Sequence, residues 1–264
     1  MTSVQKYWAI FQTTLVNSLA YPGELVGRSL MILPFMWIFY QLWNVTFAAS
    51  GSDTINGLTL HDTMWYLMMA ETIELGRPRA ARTIAENVKD GSIAYLLNKP
   101  YDFMLYQFSV SMGETVFRSL MTAIFRGAMV WWLAGSPPDL RNWPLALVAV
   151  FGAWVLNFLV NGMIGLAAFV SEEVAPYEWI YQKFAFIFGG LLIPLDFYPA
   201  WLQKIAFALP FPAMLYGPAR LFVSLDASLF ASIFWQQVLW ISVLGVLLVV
   251  AYRRGLAHLT VNGG

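Results

Sequence analysis

The sequence predicts an all-α membrane protein, with six transmembrane helices preceded by an interfacial helix, and three observations carry that prediction. First, 59% of the 264 residues are hydrophobic and only 11% are charged, with a mean hydropathy of +0.62; a soluble domain carries roughly 25% charged residues. Second, six apolar runs approach the length of about 20 residues that a spanning helix needs. Third, Lys and Arg are unevenly shared between the loops these runs define. The formal net charge is zero, which speaks against nucleic acid as a partner. With no cysteine in the chain, disulfides, thiolate metal sites and a thiol nucleophile are excluded.

The first element, residues 3–21, is amphipathic. Val4, Tyr7, Trp8, Phe11, Leu15 and Leu19 recur at steps of three or four, and Gln5, Lys6, Thr13 and Asn17 take the other side. That is the pattern of a helix lying flat on a membrane. Pro22 and Gly23 then turn the chain into the bilayer. The first long apolar run begins only after Arg28 and shows no small-residue cleavage pattern, so no cleaved leader is expected.

The spans are expected at residues 30–49, 60–75, 115–134, 144–170, 179–195 and 230–252. An N-terminus in the cytoplasm puts Lys6, Arg28, Arg77, Arg79, Arg82, Lys89, Lys99, Lys183, Arg253 and Arg254 on the inner side. Only Arg141, Lys204 and Arg220 fall outside, while Arg118 and Arg126 lie within the third span. The positive-inside rule therefore places both termini in the cytoplasm. No linker, low-complexity tract or internal repeat divides the chain, so 1–264 is read as one domain.

The longest inner loop, 76–100, contains a short helix pattern at 82–90. Arg82 and Glu86, then Glu86 and Asp90, are four apart, and Ile84 and Val88 form an apolar ridge. Gly91 fits a C-terminal stop. A ridge flanked by charges suits a protein groove, although pattern alone leaves a solvated loop open.

This loop, "TIAENVKDGSIAYLLNKPYDFMLYQF", resembles the inner-loop motif of ABC-2 type exporter permeases. The late stretch resembles the same family: Gly190, Pro194-Leu195, Phe197-Tyr198-Pro199-Ala200-Trp201-Leu202 and Leu209-Pro210-Phe211. "INGLTLHDTMWYLMMA" and "YPGELVGRSL" fit a branch formerly catalogued as a domain of unknown function, so the resemblance covers nearly the whole chain. It implies an interfacial helix, six spans per subunit, a cytoplasmic coupling helix seated in an ATPase, and outer-leaflet re-entrant helices between spans 5 and 6. By that resemblance Arg82, Thr83, Ile84, Glu86, Asn87, Val88, Lys89, Asp90 and Gly91 would couple to the ATPase. The re-entrant region is carried over to 195–222, with Gly190, Pro194, Pro199, Trp201, Pro210 and Phe211 as its gate. The implied function is the permease subunit of an ATP-driven exporter in the inner membrane, moving an amphipathic or lipid-linked substrate outward. Its partners would be the bilayer, a cytosolic ABC ATPase dimer and a second permease subunit, identical or paralogous. No cofactor is expected on this chain; ATP and Mg would sit in the ATPase.

The prolines at 194, 199, 210, 212 and 218 fit that reading, because they cut an apolar stretch into pieces too short to cross. Pro194 is expected to end the fifth span. Arg118 and Arg126 are eight apart and share a helix face. An intramembrane Arg costs roughly 2.5–3.5 kcal/mol on insertion scales, so both should face protein, headgroups or water. Glu114 is placed to pair with Arg118, and Glu71 or Glu74 with Arg126; an inter-helix clamp is favoured over a gate or an anionic-substrate contact. Asn157, Asn161, Gln236 and Gln237 read as inter-helix hydrogen bonders. The acidic loop 171–183, with Glu172, Glu173 and Glu178, reads as solvated rather than as an ATPase contact.

No Gly-x-x-x-x-Gly-Lys-Ser/Thr run occurs, so an ATP-driven process needs a second polypeptide to bind the nucleotide. His61-Asp62 reads as a helix-start charge rather than a catalytic pair. The alternatives are a membrane-embedded lipid-processing enzyme and an ion-driven transporter. The first expects carboxylates or histidines clustered at an interface; the second expects inverted repeats or intramembrane acids. Neither pattern stands out.

Overall fold

The computed structural model describes residues 3–20, 22–171, 173–224 and 226–258. Tyr21, at the end of the expected interfacial helix, and Glu172 of the acidic loop lie outside them. Helix accounts for 82% of the chain, with no strand among the described residues, so the all-α expectation holds. Among the described residues, two stretches are long and apolar enough to cross a bilayer by length and composition alone, Leu140–Phe169 and Ala227–Leu256.

The first helix, α1 (Ser3–Leu19), leaves Val4, Trp8, Val16 and Leu19 exposed. Its backbone presses on the long helix α6 (Phe103–Ala134) at Gly113, where a Cβ would sit 2.8 Å from the Phe11 carbonyl oxygen. The Tyr7 hydroxyl accepts from the Asp102 backbone N–H at 2.9 Å. Next come α2 (Pro22–Ser50) and α3 (Leu60–Gly76). The start of α3 is fixed by a capping box, the Thr59 hydroxyl accepting from the Asp62 N–H and the Asp62 carboxylate from the Thr59 N–H. Asp62 is thus a capping residue, as its position suggested. Every residue of α3 from Thr63 to Glu74 is buried, which makes it the central helix.

Two short helices follow, α4 (Ala80–Lys89) and α5 (Ser92–Leu97). The third apolar run does become helix, but α6 begins at Phe103, well before residue 115. The Asp102 side chain caps it by accepting from the Leu105 N–H. Its first turns already bury Phe103, Gln107, Ser109 and Ser111, so packing extends this helix beyond its apolar run.

After α7 (Trp143–Leu166) comes α8 (Ala175–Phe188), with Pro144 and Pro176 near their starts, where the missing N–H costs nothing. Here one expectation fails. Pro194 does not end the fifth run; α8 stops at Phe188, before Gly189 and Gly190. Gly190 takes φ +68, a left-handed conformation that glycine adopts without Cβ strain. Its carbonyl accepts from the buried Tyr66 hydroxyl at 2.6 Å. Pro194 instead precedes a 3-10 turn, Leu195–Phe197.

The Pro-cut stretch folds as α9 (Ala200–Phe207), α10 (Phe211–Met214) and α11 (Tyr216–Val223) before the long α12 (Ala227–His258). Nearly all of α11 is buried. Short helices leave carbonyls without partners, and apolar surroundings offer no water to satisfy them. Two amides of α12 do so. Gln236 donates to the Phe207 and Leu209 carbonyls at 2.8 and 3.2 Å. Gln237 donates to Ala213 and Ala149 at 2.9 and 2.7 Å, and Gly152 leaves the room for it.

The bundle has two distinct ends. At one, the start of α3 meets the end of α6: the His61 ring nitrogen Nε2 lies 2.7 Å from the Ser136 carbonyl, and Trp65 Nε1 donates to Gly135. At the other, the end of α3, α4, the end of α7 and the start of α8 converge.

Candidate functional site

The convergence around α4 holds a dense set of polar contacts. Ala80, Ala81, Ile84 and Ala85 are buried, and the end of α7 provides their seat. A Cβ on Gly165 would lie 2.9 Å from Ile84 Cβ and 3.1 Å from Ala81 Cα, so only glycine admits the helix this closely. The apolar ridge is therefore directed inward: Ile84 is fully buried and Val88 half-buried. It is not on offer to a partner's groove, because α7 already occupies it. Arg82, Glu86, Lys89, Asp90 and Gly91 are exposed; Thr83 and Asn87 are half-buried.

Gly91 takes φ +75 and reverses the chain into α5. Hydrogen bonds from Ser92 hold the Asp90 carboxyl below its ordinary range and brace this turn. Lys99 lies 4.1 Å from the centroid of the exposed Tyr95 ring.

Two cross-chain ion pairs fasten α4. Arg82 Nε meets Glu178 Oε2 at 2.9 Å, and Lys89 Nζ meets Glu173 Oε1 at 2.8 Å. The loop between α7 and α8 is therefore bonded to α4, not merely solvated. The second pair is exposed on both sides and worth little. The first is different in kind, since the Glu178 side chain is only 10% exposed. A carboxylate that far from water requires a partner.

Behind α4 the polar contacts continue. Arg77 pairs with Glu74 at 2.7 Å, and its guanidinium lies 5.7 Å from the Tyr181 ring centroid. Arg118 pairs with Glu114 at 3.1 Å and donates to the Arg77 carbonyl. The Tyr181 hydroxyl donates to Asn157 Oδ1 at 2.6 Å, Asn157 donates to the Ala153 carbonyl, and Asn161 to that of Asn157. Glu74, Arg77, Arg79, Arg82, Asn161 and Glu178 line a polar cavity of about 220 Å³.

Arg126 stands apart from this cavity. It pairs with Glu71 across α6 and α3 at 2.9 Å, both side chains buried, which is the geometry of an inter-helix clamp. Glu74, the other candidate partner, is held by Arg77.

The region after α8 forms a second cluster at the opposite end. Pro199 and Pro210 precede α9 and α10, and Trp201 is exposed. Phe211 packs among Tyr181, Phe184 and Phe188 of α8, with centroids 6.2, 6.1 and 6.3 Å away. Asp196, which the sequence did not single out, accepts from the Tyr216 hydroxyl at 3.2 Å and lies 3.5 Å from Arg220 Nε. Its backbone carbonyl accepts from Asn56.

The family model described as ABC-2 family transporter protein matches residues 31–263. No curated protein matches the chain.

Proposed function

The chain belongs to the ABC-2 transporter family, and from that premise we propose that this membrane transport permease is one subunit of an ATP-driven exporter. In this reading α2, α3, α6, α7, α8 and α12 are its six spans, α1 is an interfacial helix, and the α4 end faces the cytoplasm of an inner membrane. The outer-leaflet re-entrant region is α9 to α11. The nucleotide is bound by a separate ABC ATPase dimer, because the sequence contains no phosphate-cradling Gly-rich loop ending in Lys-Ser/Thr. Two permease subunits, identical or paralogous, enclose the route. The substrate is amphipathic or lipid-linked.

The observation that carries this reading is α4 itself. A helix of 10 residues is locked by its apolar face onto the end of a span and turns Arg82, Glu86, Lys89 and Asp90 outward. A push on that charged face is delivered to α7 through the Ile84–Gly165 contact rather than absorbed by a soft loop. Glu86 and Asp90, with no ion pair to another element among the described residues, are the freest to meet a partner.

The test is affinity purification of the full chain from its native membrane. The chain is expected to bring down an ATPase, and E86K combined with D90K is expected to release it while the permease remains folded. An isolated chain that hydrolyses ATP unaided, or an ATPase whose association survives deletion of residues 83–91, would refute the proposal.

A further inference from the structure

We propose that the turn joining α7 to α8 is the second half of the coupling device, with Glu178 as its positioning residue: by clasping Arg82 it makes α8 move with α4. This rests on the reading of α4 as the ATPase-facing helix.

In sequence, α4 is tied only to α3 and α5. In space it touches α7 by shape, and α8 by charge. The apolar seat ties α4 to α7, and the Arg82–Glu178 bond, at 2.9 Å, ties it to α8 as well. Its two ends differ usefully. Arg82 is 67% exposed and free to follow a partner, whereas Glu178 is buried at the first turn of α8. Lys89–Glu173 closes the same gap two turns along α4, exposed and weaker. Charged pairs so far apart in the chain, 96 and 84 residues, both joining one short helix to one turn, form a two-point attachment.

What α8 does next follows from its other contacts. One turn beyond Glu178, Tyr181 is bonded to Asn157 of α7. Further along, Phe184 and Phe188 hold Phe211 of α10. Tyr181 touches Phe211 too, and Phe186 packs on the core, while Tyr177, Trp179, Ile180 and Ile187 are exposed. A helix of 14 residues clasped to α4 at its first turn, packed along Phe211 of α10 from Tyr181 to Phe188, and exposed on another side is built to act as a lever. Displacement of α4 is thereby carried to the Pro-cut region at the opposite end.

The absence of native cysteine allows a direct test. Ile187→Cys at the far end of α8 and Trp132→Cys on α6, both exposed positions, take spin labels for distance measurement in the full chain with its co-purified ATPase. ATP plus vanadate is expected to change the distance by on the order of 1–2 Å or more, the scale of helix shifts in such transitions. E178R is expected to abolish the change while the ATPase stays bound and hydrolyses ATP, and E178D, which keeps the carboxylate, to preserve part of it. E178A, which adds no charge, should behave as E178R does and guards against a folding artefact. A shift that persists in E178R and E178A, or one lost as fully in E178D, overturns the clasp alone. A wild-type chain that retains no ATPase overturns the functional reading, and the clasp with it.

Discussion

Replacing Arg126 by Met is expected to destabilise the protein by about 3–5 kcal/mol, the usual result of removing one partner of a buried ion pair. The geometry supports that range, because among the described residues the Glu71 carboxylate is bonded only to Arg126 and the two side chains are 8% and 3% exposed. Replacing both residues, as in R126M/E71L, removes the stranded charge and should return stability close to wild type. The assay is denaturant unfolding in detergent micelles followed by the fluorescence of the 12 tryptophans. A variant within about 1 kcal/mol of wild type, well below that range, or a double variant no more stable than R126M would refute the clamp.

Three further outcomes follow from local packing. Gly165→Leu drives a side chain into Ile84 Cβ and Ala81 Cα; it should cost about 1–3 kcal/mol, lower the thermal midpoint, and reduce the ATPase recovered on purification. Gln237→Leu leaves the Ala213 carbonyl without its donor, an expected loss of about 1–3 kcal/mol, and faster proteolysis around residues 208–215 is the local readout. Gly190→Ala places a Cβ in the left-handed region, 3.0 Å from the Tyr66 hydroxyl; about 1–2 kcal/mol is expected from the backbone alone, measured by the same unfolding assay.

The helical elements were largely legible in the sequence. The run 60–75 became α3 almost residue for residue, since the Thr59–Asp62 cap is a local signal and so is the Gly76-Arg77-Pro78 stop. The amphipathic stripe of α1 and the short helix before Gly91 were equally local. Boundaries went wrong where a tertiary partner set them. Gly190 rather than Pro194 governs the end of α8, and the hydroxyl that holds that turn comes from Tyr66, 124 residues earlier. The polar residues of the apolar runs were visible as such, but not their bonds: Arg126 had two acids within reach on paper, and only packing chose Glu71 over Glu74.

The charge count and the apolar runs thus determined by themselves that this chain is helical and membrane-bound, because each depends on composition or on residues within a turn or two of one another, while its motifs carried the resemblance to the ABC-2 family that the family match shows. The tertiary structure alone decided which face of α4 is spent internally and which charges are already paired. An apolar ridge looks the same in sequence whether it meets a partner or its own chain. What makes the difference is a glycine on α7 and a carboxylate on α8, brought to α4 by packing across some 80 to 100 residues of chain.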